Sequence, residues 1–266
     1  MSYPAVDPRR VGMLTPSSNT VLEPYTSAMF AQFGEAASAH FGRFRVVEIS
    51  MSDASQAQFT LEPILEAAER LAEAHPHLIA WNGTSASWLG LEKDRALCAA
   101  ITERTGVPAT STILAYDALL RGMGVKRLGV VTPYIADIET RMIANYAAQG
   151  IEVVSAERLN DKGNYSFATY SPAQVGAMID RVAEAKPDAI AIVCTNFRGA
   201  PEAARIEDAT GIPVLDSVAV TAAHCLSQIG LDPARVTGWG GVFQTIAALG
   251  LPPLTTSLSE TKGTST

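Results

Sequence analysis

The chain repeats its own succession of strands and turns, and this internal repeat limits the possible folds more than any other feature. Three segments of the first half recur in the same order in the second half: 11–16 (VGMLTP) and 128–133 (LGVVTP), 78–84 (LIAWNGT) and 189–195 (AIAIVCT), 105–108 (TGVP) and 210–213 (TGIP). A chance similarity between α/β segments ranks below duplication, because all three matches keep one order. We therefore predict a duplicated structural unit.

Short apolar segments alternate with helical patterns along the whole chain. The predicted strands are 10–14, 44–49, 77–81, one near residue 107, 127–132, 151–156, 188–194 and 212–215. Continuous apolar strands that alternate with helices are typical of parallel sheets covered on both faces. The prediction is an α/β fold of two four-stranded, Rossmann-like or flavodoxin-like units. A pseudo-twofold axis relates the two units, and the active site lies in the cleft between them.

The repeat also suggests a division of the chain. Residues 1–115 together with 230–250 form the first predicted unit, and residues 116–229 form the second. The remaining segment 251–266 is polar apart from a few apolar residues, so we expect a mobile tail.

Composition excludes several classes of function. The chain has 20 basic and 27 acidic residues and a net charge of −7, which argues against a nucleic-acid or anionic-membrane partner. No apolar run reaches the roughly 18 residues of a membrane span, and no signal peptide is visible. The three cysteines are widely spaced, which does not fit a disulfide framework or a metal cluster. We expect a cytoplasmic protein with no metal and no cofactor.

The candidate site follows from the predicted sheets. Ligands of open parallel sheets bind beyond the carboxyl ends of the strands, and these loops carry small hydroxyl, amide and thiol side chains. The loop 15–20 contains Ser17, Ser18 and Asn19. These residues fit a helix N-cap, or an anion site built from side chains and backbone N–H groups.

The two third-strand ends are the sharpest feature. The first copy ends in Gly83-Thr84-Ser85, and the second ends in Cys194-Thr195-Asn196. A free cysteine is most often a small buried hydrophobe, and this interpretation stays open for Cys194. In the functional interpretation, neighbouring backbone N–H groups lower the pKa of the Cys194 thiol.

With these motifs the chain resembles the aspartate/glutamate racemase superfamily. The opening Pro16-Ser17-Ser18-Asn19-Thr20, followed by Glu23-Pro24, is similar to the maleate cis–trans isomerase branch. That resemblance implies one cysteine on each side of the substrate, of which the second is Cys194 and the first falls on Gly83. Gly83-Thr84-Ser85 with a single cysteine in the second half instead resembles the arylmalonate decarboxylases.

The resemblance also implies the site residues. Cys194, Tyr134 and Thr84 would be catalytic, and Tyr134 matches a tyrosine that binds the substrate carboxylate. Asn19 and Asn164 resemble isomerase residues that hold a carboxylate. The full implied substrate-binding set is Pro16, Ser17, Asn19, Gly83, Ser85, Asn164 and Thr195. A homo-oligomer is compatible with the family.

The predicted function is cofactor-free chemistry on a small dicarboxylate through an enediolate or carbanion. The leading hypothesis is decarboxylation with Cys194 as the single proton donor. The first alternative is cis–trans isomerisation of a maleate-like diacid through a covalent Cys194 adduct. The second is a non-catalytic protein that binds a small carboxylate.

Overall fold

Two parallel sheets of the same design form the framework. The computed structural model describes residues 8–46, 61–252 and 254. Each sheet has four parallel strands, in the order β2-β1-β3-β4 in the first and β6-β5-β7-β8 in the second. The strands are β1 (Arg9–Pro16), β2 (Ala37–Phe44), β3 (Leu78–Trp81), β4 (Ala109–Ser111), β5 (Arg127–Thr132), β6 (Glu152–Arg158), β7 (Ala189–Ile192) and β8 (Val214–Asp216). The identical strand order confirms the predicted duplication and fold class.

Helices connect the strands and cover the sheets. They are α1 (Leu22–Phe30), α2 (Leu61–Ala72), α3 (Ala86–Leu89), α4 (Leu91–Thr105), α5 (Thr112–Met123), α6 (Ala136–Ala148), α7 (Pro172–Ala183), α8 (Ala203–Thr210), α9 (Ser217–Gln228) and α10 (Val242–Leu249). Every residue of β3 and β7 is buried, as expected for inner strands with helices on both faces. No helix in the described part of the chain is long and apolar enough to cross a membrane.

The repeated Thr-Gly-Val/Ile-Pro motif has one structural role in both copies. Gly106 and Gly211 follow the last residues of α4 and α8 and adopt positive φ angles of 71° and 70°, the left-handed conformation that ends many helices. The preceding threonine hydroxyl, in Thr105 and in Thr210, donates to a carbonyl of its own helix over 2.7 Å. The motif therefore ends a helix and starts the return to the next strand.

The structure differs from the sequence-based expectation in the first unit. The strand predicted at 44–49 is wrong in position, because β2 ends at Phe44, and residues 47–49 lie outside the described residues. β2 pairs only with β1, is mostly half-buried and contains Ser38, His40 and Arg43, so it has no continuous apolar run. The predicted tail 251–266 lies outside the described residues except for 251, 252 and 254.

Helix α1 follows the loop for which the sequence indicated a possible helix N-cap, without bounds for the helix. Pro24 is the third helical residue, where its missing N–H would have no partner within the helix in any case. α1 lies directly after the loop 17–20, so it fixes one wall of the region where the two units meet.

Candidate active site

The carboxyl ends of strands from both units converge on one narrow cleft. Its walls come from β1, β3, the loop before α3, and the segments that follow β5, β6 and β7. The lining residues are Pro16, Val46, Trp81, Gly83, Thr84, Ser85, Trp88, Tyr134, Asn164, Cys194 and Thr195. None of these side chains carries a formal charge at neutral pH when the thiol is protonated. An anion in this cleft would therefore meet hydroxyl, amide, indole and backbone N–H donors rather than a cation.

Hydrogen bonds between the units hold the cleft together. The Thr84 and Tyr134 hydroxyls lie 2.6 Å apart and form a hydrogen bond across the cleft. The Thr195 hydroxyl donates to the Asn82 carbonyl over 3.1 Å and accepts from Asn19 Nδ2 over 3.2 Å. Because each bond joins residues from different copies of the repeat, the relative position of the two walls is fixed before a ligand binds.

Cys194 follows β7 and is only 3% exposed. Its backbone N–H donates to Ser217 Oγ over 3.1 Å, and its Sγ accepts from the Asn196 N–H over 3.4 Å. Burial raises the pKa of the Cys194 thiol to about 12, and the Tyr134 hydroxyl and the Asn196 N–H oppose this shift only in part. The lowered pKa expected from the sequence is wrong, because removal of the thiolate from water outweighs the nearby donors. Cys194 is thus a protonated thiol at neutral pH.

A protonated, buried thiol should resist alkylation. We expect Cys194 of the native protein to react with iodoacetamide at pH 7.5 far more slowly than a free cysteine, because the thiolate is the reactive species. Mass spectrometry of the intact protein and of its peptides measures the modification. Unfolding in guanidinium is the control and should expose all three cysteines. Rapid modification of Cys194 in the native protein would contradict the protonated state.

Gly83 occupies the site at which the resemblance places the first cysteine. A Cβ atom at Gly83 would lie 1.8 Å from Cζ2 and 2.2 Å from Cε2 of the Trp81 indole. Trp81 is 1% exposed, and its ring packs against Phe44 with a centroid distance of 5.1 Å. The indole thus fills the volume that a side chain at position 83 would need.

Tyr134 is the second buried polar group of the cleft. Its ring contacts those of Trp88 and Phe167 edge-on, at centroid distances of 5.1 and 5.6 Å. Burial raises the pKa of the Tyr134 hydroxyl well above its usual value. The Thr84–Tyr134 pair holds two hydroxyl hydrogens, of which one is used in their mutual bond. The Tyr134 hydroxyl also interacts with the Cys194 thiol, so the second hydrogen becomes free for a ligand when this interaction is given up.

The structure brings most of the predicted site residues together. The residues that line the cleft are Pro16, Gly83, Thr84, Ser85, Tyr134, Asn164, Cys194 and Thr195. Ser17 and Asn19 lie behind its walls. Asn19 Oδ1 accepts from the N–H groups of Val21 and Leu22, which caps the start of α1, and Ser17 Oγ accepts from the Val46 N–H.

The predicted site residues did not include Trp81, Trp88 and Val46, which line the cleft. Trp81 and Trp88 flank the Gly-Thr-Ser turn, and this clustering of two of the three tryptophans was the available signal. Val46 carried no signal. Asn196 lies behind the cleft, where its Oδ1 accepts from the Thr20 N–H over 2.9 Å and its amide donates to the Asn164 carbonyl.

Nothing in the described part of the chain forms a metal site. No group of three or more His, Cys, Asp or Glu side chains with metal-binding geometry occurs among these residues. Asp216, one of two acidic groups that raise the pKa of the Cys194 thiol, is fully buried and caps α9 by accepting from the Val218 N–H over 2.8 Å.

Comparison with known proteins yields two groups of enzymes. The chain is 24% identical to the maleate isomerase of Geobacillus stearothermophilus over 234 residues, which cover 84% of this chain and 92% of the relative. It is 29% identical to the arylmalonate decarboxylase of Bordetella bronchiseptica over 186 residues, 69% of this chain and 78% of the relative. These matches confirm the resemblance inferred from the cleft motifs.

A solved structure supports the fold. A cysteine-to-serine mutant of the Nocardia farcinica maleate cis–trans isomerase, with a covalently bound succinylcysteine intermediate, superposes with a TM-score of 0.80. The identity is 23%, and the alignment covers 88% of this chain and 98% of that structure. The sequence profile of the arylmalonate decarboxylase family matches residues 11–243, from the first strand to the last helix. The duplicated sheets and the cleft between them thus all lie within the matched region, and the chain belongs to the arylmalonate decarboxylase family.

Proposed function

We propose that this enzyme decarboxylates a small 2-substituted malonate with Cys194 as its single proton donor. The observation that carries the proposal is the Trp81 indole packed against Gly83. A reaction that needs one thiol from each unit would require a cysteine at position 83, where the Trp81 indole occupies the space of its side chain. A decarboxylation needs only one acid, which Cys194 supplies from the second unit.

The proposed reaction balances with one proton taken up. One carboxylate of the bound malonate leaves as CO₂, and the electrons of the broken C–C bond form an enediolate on the retained carboxylate. The Cys194 S–H bond then breaks and its proton forms the new C–H bond. Water subsequently returns a proton to the thiolate. A protonated Cys194 is the state this sequence of steps requires.

Neutral donors would stabilise the enediolate. The Thr84–Tyr134 pair and Ser85 border the cleft, and the spare hydroxyl hydrogen of the pair can donate to the retained carboxylate. Such donors matter most in a water-poor site, because they point at the oxygen atoms on which charge develops. Their neutrality also suits release of CO₂, because no cation holds the departing carboxylate in place.

Cis–trans isomerisation of maleate is the second candidate. Its support is the similarity to maleate isomerases over most of the chain. A covalent route, like the one trapped in the Nocardia structure, would need the Cys194 thiolate as nucleophile. Burial opposes formation of that thiolate in the ligand-free protein, so the covalent route would need a base to take the thiol proton first.

A product assay separates the two candidates. The purified protein is incubated in deuterated water with phenylmalonate and, separately, with maleate, and proton NMR follows both. We expect phenylmalonate to give phenylacetate with enzyme-dependent addition of deuterium, and maleate to persist. Formation of fumarate without decarboxylation would overturn the proposal in favour of isomerisation.

Removing the Tyr134 hydroxyl should slow the reaction without disturbing the fold. We expect Tyr134→Phe to lower kcat about a hundredfold, which corresponds to about 3 kcal/mol, the usual effect of losing one oxyanion donor. Tyr146→Phe is the matched control, because Tyr146 is a buried tyrosine whose hydroxyl lies outside the cleft and has no hydrogen-bond partner in the described chain. Equal kcat values for Tyr134→Phe and the native protein would contradict a role for this hydroxyl.

A further inference from the structure

Trp88 presents a hydrogen-bond donor that the fold does not use. The residue is 4% exposed and borders the cleft together with Thr84, Tyr134 and Cys194. Its indole Nε1 is fully enclosed and has no hydrogen-bond partner among the described residues. Most buried polar groups in proteins are paired, so an unpaired one calls for an explanation.

Packing alone does not explain a tryptophan at this position. The Trp88 ring contacts the Tyr134 ring edge-on at 5.1 Å, and a phenylalanine could supply a comparable aromatic contact. A buried N–H without a partner lowers stability relative to an apolar group of the same shape. The Trp88 indole N–H is therefore a buried donor that has no acceptor among the described residues of the ligand-free protein.

The acceptor can be identified from the surroundings of Trp88. The ring lies beside Tyr134, whose hydroxyl pairs with Thr84, and the cleft offers no cation. We propose that the Trp88 indole N–H donates a hydrogen bond to a carboxylate of the bound dicarboxylate, next to the Thr84–Tyr134 pair. This inference rests on the proposed function and names Trp88 as a substrate-binding residue.

The indole signals of the protein allow a direct test. The chain has three tryptophans, so selective ¹⁵N labelling of the indoles gives three N–H resonances. Spectra are recorded on the Cys194→Ala protein, because this substitution should prevent turnover. They are recorded with and without phenylmalonate. Trp88→Phe assigns the Trp88 signal. We expect that signal to move downfield on binding, as an N–H does when it gains a charged acceptor.

Affinity provides the second readout. Calorimetry with phenylmalonate should give a Kd about tenfold higher for Trp88→Phe in the Cys194→Ala background, the usual effect of losing one hydrogen bond to a charged group. Trp239→Phe is the matched control, because Trp239 packs on Tyr25 and does not border the cleft. Its Kd should stay unchanged.

The outcomes distinguish this inference from the proposed function. The inference is overturned if phenylmalonate binds without moving the Trp88 indole signal and if its Kd is the same for Cys194→Ala with and without Trp88→Phe. This outcome leaves the decarboxylase proposal standing. A protein that binds no dicarboxylate overturns both. A downfield shift together with the weaker binding of Trp88→Phe supports the inference, whatever the rate of turnover.

Discussion

We expect replacement of Cys194 with alanine to lower the rate of the proposed phenylmalonate decarboxylation by about a thousandfold, within the range found for loss of a positioned general acid. The reason is that Cys194 is the only ionisable side chain lining the described cleft apart from Tyr134, whose pKa burial raises well above its usual value. Loss of the thiol leaves the carboxylate donors in place, so the Kd for phenylmalonate should change by no more than a few fold. Steady-state kinetics and calorimetry measure the two quantities.

The chain offers a matched control for this substitution. Cys225→Ala removes another fully buried thiol, in α9, which does not border the cleft. Its kcat should stay within about twofold of the native value after correction for any loss of folded protein. Full activity in Cys194→Ala, or an equal loss in Cys225→Ala, would contradict the assignment of Cys194 as the proton donor.

The second large effect concerns the missing thiol. Gly83→Cys should lower the free energy of unfolding by about 3 kcal/mol, the upper end for an overpacked core, because its Cβ would overlap the Trp81 indole. For a chain of this size the Tm should fall by roughly 6–12 °C. Thermal denaturation measures the change. The Tm of Gly83→Ala, which has the same Cβ but no sulfur, should fall by a similar amount.

A smaller residue at position 81 should relieve the overlap. Trp81→Leu is destabilising alone, because it leaves a cavity beside Phe44. The double variant Trp81→Leu/Gly83→Cys should be more stable than the sum of the two single changes predicts, by a coupling free energy of about 2 kcal/mol. Strictly additive effects would show that Trp81 does not exclude a side chain at position 83.

Much of the fold could be predicted because the repeated segments contain residues that end helices or form buried strands. The Thr-Gly-Val/Ile-Pro motif ends a helix in both copies, and the apolar strands β3 and β7 are buried along their whole length. β2 was misplaced because an edge strand with a half-buried face has no apolar run. For α1 the sequence indicated only a possible N-cap and no bounds, and Pro24 in its first turn interrupts the helical pattern.

The candidate site was predicted less completely, because its chemistry depends on burial and on side-chain direction. The sequence places Cys194 and Gly83 at equivalent strand ends, and both line the cleft. It does not show that burial raises the pKa of Cys194, and it left open whether Asn19 caps a helix, which the structure shows, or binds an anion. Nor could the sequence show that the Trp81 indole folds back over Gly83, since this contact depends on the rotamer.

In the proposed mechanism, a single thiol, that of Cys194, delivers the proton from one side of the substrate. The most direct measurement is decarboxylation of 2-methyl-2-phenylmalonate in deuterated water, with chiral chromatography of the 2-phenylpropionate formed. We expect one deuterium at the α-carbon and one enantiomer in large excess, with the enzyme-dependent formation of this single enantiomer lost in Cys194→Ala. A racemic product from the native enzyme, or a product whose formation does not depend on Cys194, would contradict this mechanism.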